Sequence, residues 1–168
     1  MKRVLVIGSG GSGKSTFSQK LAAKTGLPLF HLDALFWKPG WLAPGSADWH
    51  KTVAALIEQD NWILDGNYGG TLELRLSKAD TIFFLDMPNW RCVWNLVKRR
   101  IKYARITRPG MPAGCPEKIN FTFLAWVWGY PKRNKPKVLN SIETHKQADA
   151  KVLIFKSYEA METFLKSI

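Results

Sequence analysis

The chain has 168 residues, 46% of them hydrophobic, with eight tryptophans and a net charge of +12. That length suits one compact domain with a sizeable core, and the hydrophobic content excludes an intrinsically disordered chain. Its two cysteines, Cys92 and Cys115, match neither a disulfide framework nor a C-x-x-C metal site, which leaves reduced thiols in a cytoplasmic protein.

Lys2 and Arg3 precede the apolar run Val4 to Ile7, but four apolar residues are too few for a signal-peptide core. The short β-branched run instead has the character of a buried parallel strand. Gly8-Ser9-Gly10-Gly11-Ser12-Gly13-Lys14-Ser15-Thr16 follows and satisfies two phosphate-binding patterns at once. Gly8, Gly10 and Gly13 fit the dinucleotide fingerprint G-x-G-x-x-G, with Asp33 near the spacing of a ribose-binding acid. The same stretch fits the P-loop pattern G-x-x-x-x-G-K-[ST]. Lys14-Ser15 decides between them. A dinucleotide turn holds a pyrophosphate with backbone N–H groups and needs no lysine there. A triphosphate requires a cation at the helix start and a hydroxyl for Mg²⁺. Gly8 to Thr16 are therefore expected to hold ATP, with Lys14 on the transferred group and Ser15 on the metal.

Phe17, Leu21 and Ala22 recur at helical spacing, and Gly26 is placed to end that helix. Leu27 to Leu32 has the pattern of a second strand ending at Asp33. A loop rich in Pro, Gly and Trp separates it from a helix capped by Ser46 or Asp48, with Val53, Leu56 and Ile57 inward. Trp62 to Leu64 and Thr81 to Leu85 form the third and fourth strands, ending at Asp65 and Asp86. A long amphipathic helix is expected over Asn89 to Ile106, with Trp90, Trp94, Val97 and Ile101 on one face and Arg91, Lys98, Lys102 and Arg105 on another. Prolines 109, 112 and 116 interrupt the next stretch. Helical segments, a strand at Val152 to Phe155 and a closing helix containing Ala160, Phe164 and Leu165 complete the chain. The most apolar late segment, Phe121 to Tyr130, is too short to span a bilayer, so a soluble protein with no membrane partner is expected.

Strands alternating with helices predict an α/β fold with a parallel sheet covered on both faces. Ligands of such sheets bind beyond the carboxyl ends of the strands, which brings Asp33, Asp65 and Asp86 toward the glycine-rich loop. Asp65, in Ile-Leu-Asp-Gly, is the candidate for the Mg²⁺ side. Asp33 is the candidate to orient or deprotonate an acceptor hydroxyl, and Asp86 is expected to cap the next helix. Charge is uneven: Met87 to Ile142 holds twelve Lys or Arg and one acid, Glu117. Such asymmetry points to an anionic partner without naming it.

"GSGGSGKST", "HLDALFWKPGW", "WILDGNY", "ADTIFFLDMP" and "GCPE" together resemble the bacterial DNA topology modulation proteins, adenylate-kinase-like members of the P-loop kinase superfamily. The resemblance covers nearly the whole chain. It implies a nucleoside-monophosphate-kinase-like domain over 1–168, a five-stranded parallel sheet in order 2-3-1-4-5, and a basic helical lid over about 88–142. Compared with nucleoside monophosphate kinases, "ILDG" matches the turn that carries the Mg²⁺-side aspartate, favouring Asp65. The arginine that follows in those enzymes has no counterpart in "NYGG", and Arg75 is the nearest substitute. Their two lid arginines fall on Asn95 and Arg99, with Arg91, Arg100, Arg105 and Arg108 also at hand. Between Asp33 and Lys51 there is no acceptor-gripping arginine, only Lys38 and the aromatic turns around Trp37, Trp41, Trp49 and His50. Trp37 and Trp41 fit either ring stacking or core packing.

Two functional expectations follow. In the first, the protein transfers the γ-phosphoryl group of ATP to a nucleotide or other small hydroxyl or phosphate acceptor, with Lys14, Asp33, Arg99 and Arg108 as catalytic residues and Ser15 and Asp65 at Mg²⁺. In the second, it is a nucleotide-regulated DNA-binding protein that uses Lys132, Arg133, Lys135 and Lys137 among Trp126, Trp128 and Tyr130. The kinase reading is favoured, with an ATPase lacking any acceptor as its simplest variant.

Overall fold

The computed structural model describes residues 1–104, 106–107, 111–117 and 120–168. Its centre is a five-stranded sheet of β1 (Arg3–Gly8), β2 (Leu29–His31), β3 (Trp62–Asp65), β4 (Thr81–Leu85) and β5 (Lys151–Phe155). All neighbouring pairs are parallel and the order is β2-β3-β1-β4-β5. The central strands β1, β3 and β4 are apolar over most of their length because both faces are covered, whereas the edge strands β2 and β5 are partly exposed. Leu5, Ile7, Leu64, Ile82 and Phe84 enter one core layer. The alternating residues Val4, Val6, Ile63, Phe83 and Leu85 enter the other.

Helices α1 (Lys14–Thr25), α2 (Leu32–Phe36), α3 (Ser46–Ile57), α4 (Leu72–Leu76), α5 (Asn89–Lys102), α6 (Phe121–Arg133), α7 (Lys135–His145) and α8 (Tyr158–Ser167) surround the sheet. Trp49, Val53 and Ile57 of α3, Leu76 of α4 and Ile142 of α7 fill the first layer. Phe17 and Leu21 of α1, Cys92 and Leu96 of α5, and Met161 and Leu165 of α8 fill the second. Helix α6 serves both, Tyr130 entering the first layer and Val127 the second.

Gly26 ends α1 as expected, at φ 70°, a conformation that favours glycine. Other boundaries move. β2 is three residues long, and Asp33 lies in the first turn of α2 rather than at the strand end. Gly45 occupies the N-cap of α3, and neither Ser46 nor Asp48 caps it. Asp86 caps nothing either, because Pro88 precedes α5 and the Asp86 carboxylate pairs with Lys135 Nζ at 2.6 Å.

The largest departure concerns α5, which ends at Lys102 and buries Cys92 and Leu96. The apolar stripe identified from the sequence is exposed: Trp90 at 59%, Trp94 at 53% and Ile101 at 73%. Periodicity defines a stripe but not its direction. Direction is set here by the glycine-rich loop, since the Cys92 carbonyl lies where any side chain on Gly11 would stand. No helix among the described residues is long and apolar enough to cross a membrane.

Candidate functional site

The loop from Gly8 to Gly13 joins β1 to α1 at the carboxyl edge of the sheet. Gly13, at φ 92°, opens α1, and the Ser12 N–H donates to the Ser9 carbonyl at 3.2 Å. Neighbours press on the loop from three sides. A Cβ on Gly10 would meet Phe123 and Val127 of α6, one on Gly11 would meet α5, and one on Gly13 would meet the Tyr158 ring. Asn95, in the place of an expected lid arginine, donates from Nδ2 to the Gly11 carbonyl at 2.9 Å and to Tyr158 Oη at 2.7 Å. The Ser12 hydroxyl is buried with no hydrogen-bond partner among the described residues.

Lys14 turns back into the loop, and its Nζ donates to the Gly8 and Ser9 carbonyls at 2.9 Å each. Burial lowers its pKa, while the carboxylates of Asp65 and Asp33 act in the opposite sense and Arg99 adds to the lowering. The ammonium therefore sits within the field of both candidate carboxylates. Ser15 is half-buried one residue on, and Thr16 is exposed.

Asp65 comes to the loop because β3 pairs with β1 in a register that sets Asp65 beside Val6 and, across β2, beside His31. Asp65 is buried, and His31 Nδ1 lies 2.8 Å from its Oδ2. That contact leaves Oδ1 for another ligand. A strand-end carboxylate oxygen and the Ser15 hydroxyl are the hard donors that Mg²⁺ takes beside substrate phosphates, so the residues fit that ion. Asp33 accepts a hydrogen bond from Tyr68 Oη at 2.8 Å on its Oδ1.

Three residues that sequence reasoning missed tie these groups together. Asn67 Oδ1 accepts from the Gly8 N–H at 3.1 Å, Tyr68 reaches Asp33, and His31 orients Asp65. Asn67 and Tyr68 are fixed from behind by Arg75, the residue proposed from sequence as a substitute phosphate ligand. Arg75 is fully buried. Its guanidinium donates to the carbonyls of Thr71, Gly66 and Tyr68 at 3.2, 2.9 and 2.9 Å, and also to that of Asn67. Desolvation pulls its pKa down to about 9, which leaves it charged at neutral pH. It braces the loop after β3, with its guanidinium spent on backbone carbonyls. The left-handed φ of 30° at Tyr68 is held by this brace.

Arg99 points from α5 toward Lys14 but is bonded to Glu117, with Nε at 2.8 Å and a second guanidinium nitrogen at 2.7 Å from one carboxylate oxygen. Arg105 and Arg108 lie outside the described residues. Beside Asp33 and Tyr68, Phe36 packs edge-on against Trp37 and Trp49 and is tilted against Tyr68. Trp41 meets Trp37 and donates from Nε1 to the Pro116 carbonyl at 3.2 Å. The Gly40 N–H donates to the Gly114 carbonyl, so this loop is fastened to the basic segment. Of the residues named for DNA binding, Lys132, Arg133, Lys137 and Trp128 are exposed, and the others are engaged. Tyr130 is core, Trp126 packs on the core, and Lys135 is paired with Asp86.

This architecture recurs in solved structures. A shikimate kinase from Bacteroides thetaiotaomicron superposes with a TM-score of 0.58 at 15% identity, covering 99% of this chain and 95% of the other. A Chloroflexus aurantiacus protein, provisionally named a kinase, gives 0.54 at 16% identity, covering 99% and 97%. The fold is that of the P-loop kinases. No protein-family model and no curated protein matches the chain.

Proposed function

We propose that the protein binds Mg²⁺ and ATP at Gly8 to Thr16 and transfers the γ-phosphoryl group to a hydroxyl of a small acceptor beside Asp33. The observation that carries this reading is the position of Lys14, an ammonium inside the loop that is under the influence of both Asp65 and Asp33. Backbone N–H groups from Gly8 to Thr16 would cradle the phosphates, and Lys14 would exchange its two carbonyl partners for phosphate oxygens. Ser15 and Asp65 would hold Mg²⁺, which supplies charge neutralisation between the phosphates when bound. Asp33, set by Tyr68, would orient the acceptor hydroxyl and take its proton as the oxygen attacks. Arg99 would stabilise charge on the transferred group, and Arg108 is retained as a second candidate for that role.

A hydroxyl acceptor is supported by the chemistry of its side of the site. The groups there are the Asp33 carboxylate and the rings of Phe36, Trp37 and Tyr68. Arg75 is occupied by carbonyls. The likeness in sequence to DNA topology modulation proteins is compatible with this chemistry and supplies no acceptor. The test is ATP turnover against nucleosides, nucleotides and sugars, with free phosphate followed in the same reaction. A phosphorylated hydroxyl product is expected. Phosphate release with no such product would make the protein an ATPase, and absence of turnover with every acceptor would overturn the reading.

A further inference from the structure

The exposed face of α5 has no role in the site just described. Trp90, Trp94 and Ile101 stand out from it, and Phe121 and Trp128 stand out from α6, at 53–86% exposure. The two helices form one surface at this point, because Asn89 Nδ2 donates to the Trp128 carbonyl at 2.9 Å. Isolated exposed hydrophobics are ordinary, but five large ones on two adjacent helices are not. The same helices carry seven Lys or Arg and no acid. Around α5 the apolar stripe is bordered by Arg91, Lys98 and Lys102, with Lys98 Nζ 5.2 Å from the centre of the Trp94 ring.

We propose that the outer faces of α5 and α6 dock peripherally on an anionic lipid bilayer. An apolar stripe rich in tryptophan, with basic residues along its border, suits the boundary between headgroups and acyl chains. Indole rings place apolar bodies in that layer and keep their N–H groups wet. The absence of a spanning segment, which led the sequence reading to expect no membrane partner, does not bear on such contact. Charge argues against the other occupants of an apolar face. Two copies meeting through this surface would oppose Arg91, Lys98 and Lys102 of each to like charges of the other. A single-stranded nucleic acid would use the indoles and lysines but leave Ile101 without a partner. The proposal is independent of the catalytic reading, since none of these side chains belongs to the phosphate site.

The test is co-sedimentation of the full chain with vesicles of mixed phosphatidylglycerol and phosphatidylcholine, and with vesicles of phosphatidylcholine alone. Binding to the anionic vesicles only, weakening with salt, is expected. Two variants examine the surface separately: Trp90→Ala with Trp94→Ala and Trp128→Ala, and Lys98→Glu with Lys102→Glu. Each should lower vesicle affinity about tenfold or more while thermal unfolding and ATP binding stay unchanged. All five positions are exposed, and the two sets act through different chemistry, so loss of fold in one does not remove the test. Vesicle binding unaffected by both variants would overturn the proposal, as would no binding. Dimerisation, or oligonucleotide binding without vesicle binding, that depends on the same residues would also overturn it.

Discussion

Arg75 offers the most exacting test of how the site is held. Its guanidinium donates to four carbonyls, those of Gly66, Asn67, Tyr68 and Thr71, at a place with no solvent access. Replacing it with methionine keeps most of the apolar bulk and removes a donor from each of those carbonyls, of which that of Tyr68 keeps a second donor in the Thr71 N–H at 3.0 Å. Hydrogen bonds to a charged group contribute about 1.5–3 kcal/mol each, so the gross loss is roughly 6–12 kcal/mol. Removing the buried cation returns several kcal/mol of desolvation, and a net destabilisation of about 3–5 kcal/mol remains. The damage should spread to function, because the freed segment carries Asn67, bonded to the Gly8 N–H, and Tyr68, bonded to Asp33. Urea unfolding of parent and Arg75→Met, followed by turnover of the folded fraction, measures both effects. Arg75→Lys should fall between them, since an ammonium replaces one or two of the four bonds. A stability change below about 1 kcal/mol with turnover intact would refute the brace.

Lys14→Ala removes the only side-chain cation within the glycine-rich loop, so phosphoryl transfer should be lost and Mg-ATP should bind more weakly by calorimetry, with the fold retained. Asp65→Asn should raise the Mg²⁺ concentration needed for half-maximal turnover, whereas Asp33→Asn should lower turnover about a hundredfold or more at saturating Mg²⁺. Identical Mg²⁺ titrations for the two variants would reject that division. Burial pushes the Cys92 thiol up to about 11 from 9.0, so the folded state keeps a proton that the unfolded chain releases above pH 9. Stability from this group is complete below pH 9 and falls as pH rises through about 11, by about 3 kcal/mol in all. Tyr130 and Tyr158 are raised in the same sense. The contribution of Cys92 is therefore the difference between urea-unfolding curves of the parent and Cys92→Ala, which should converge toward high pH.

Where a single physical requirement determines both composition and position, the sequence was legible. Val4 to Ile7 and Ile82 to Leu85 are apolar throughout because both sheet faces are covered there, although Val152 to Phe155 of the edge strand β5 shows the same pattern with Ile154 45% exposed. Gly8 to Ser15 stood out as a candidate because a phosphate-binding loop restricts glycine, lysine and hydroxyl at fixed spacings. Asp65 could be placed because the strand before it is unambiguous, whereas Asp33 moved into α2 when β2 ended early. The buried face of helix α5 was not legible because the helix has two apolar stripes. The larger, around Trp90 and Trp94, is exposed, while Cys92 and Leu96 meet the loop and sheet. Arg75 was equally opaque, since sequence does not distinguish a guanidinium aimed at phosphate from one aimed at backbone carbonyls. His31, Asn67 and Tyr68 matter through distances that only the register of β2 on β3 and the turn after Asp65 create.

The electrostatics of the loop suggest why a segment with twelve basic residues between Met87 and Ile142 keeps one acid, Glu117. In the proposed reaction two cations must meet the transferred phosphoryl group, and each already has partners. Lys14 rests on two neutral carbonyls, so moving it to phosphate replaces dipoles with full charge and is favourable with any phosphate present. Arg99 rests on a buried carboxylate, so its transfer to phosphate exchanges one anion for another and is nearly balanced. It favours the transition state to the extent that the planar guanidinium fork fits the equatorial oxygens of the group in transfer better than it fits ground-state phosphate. Lys14 would then contribute to binding and Arg99 to the transition state, a division that lowers the barrier rather than deepening the ground state. Arg99→Lys, which preserves charge but loses the planar fork, should accordingly reduce kcat well before it weakens ATP binding. Steady-state kinetics beside calorimetry measures both quantities, and an equal fall in the two would show that Arg99 acts in the ground state as well.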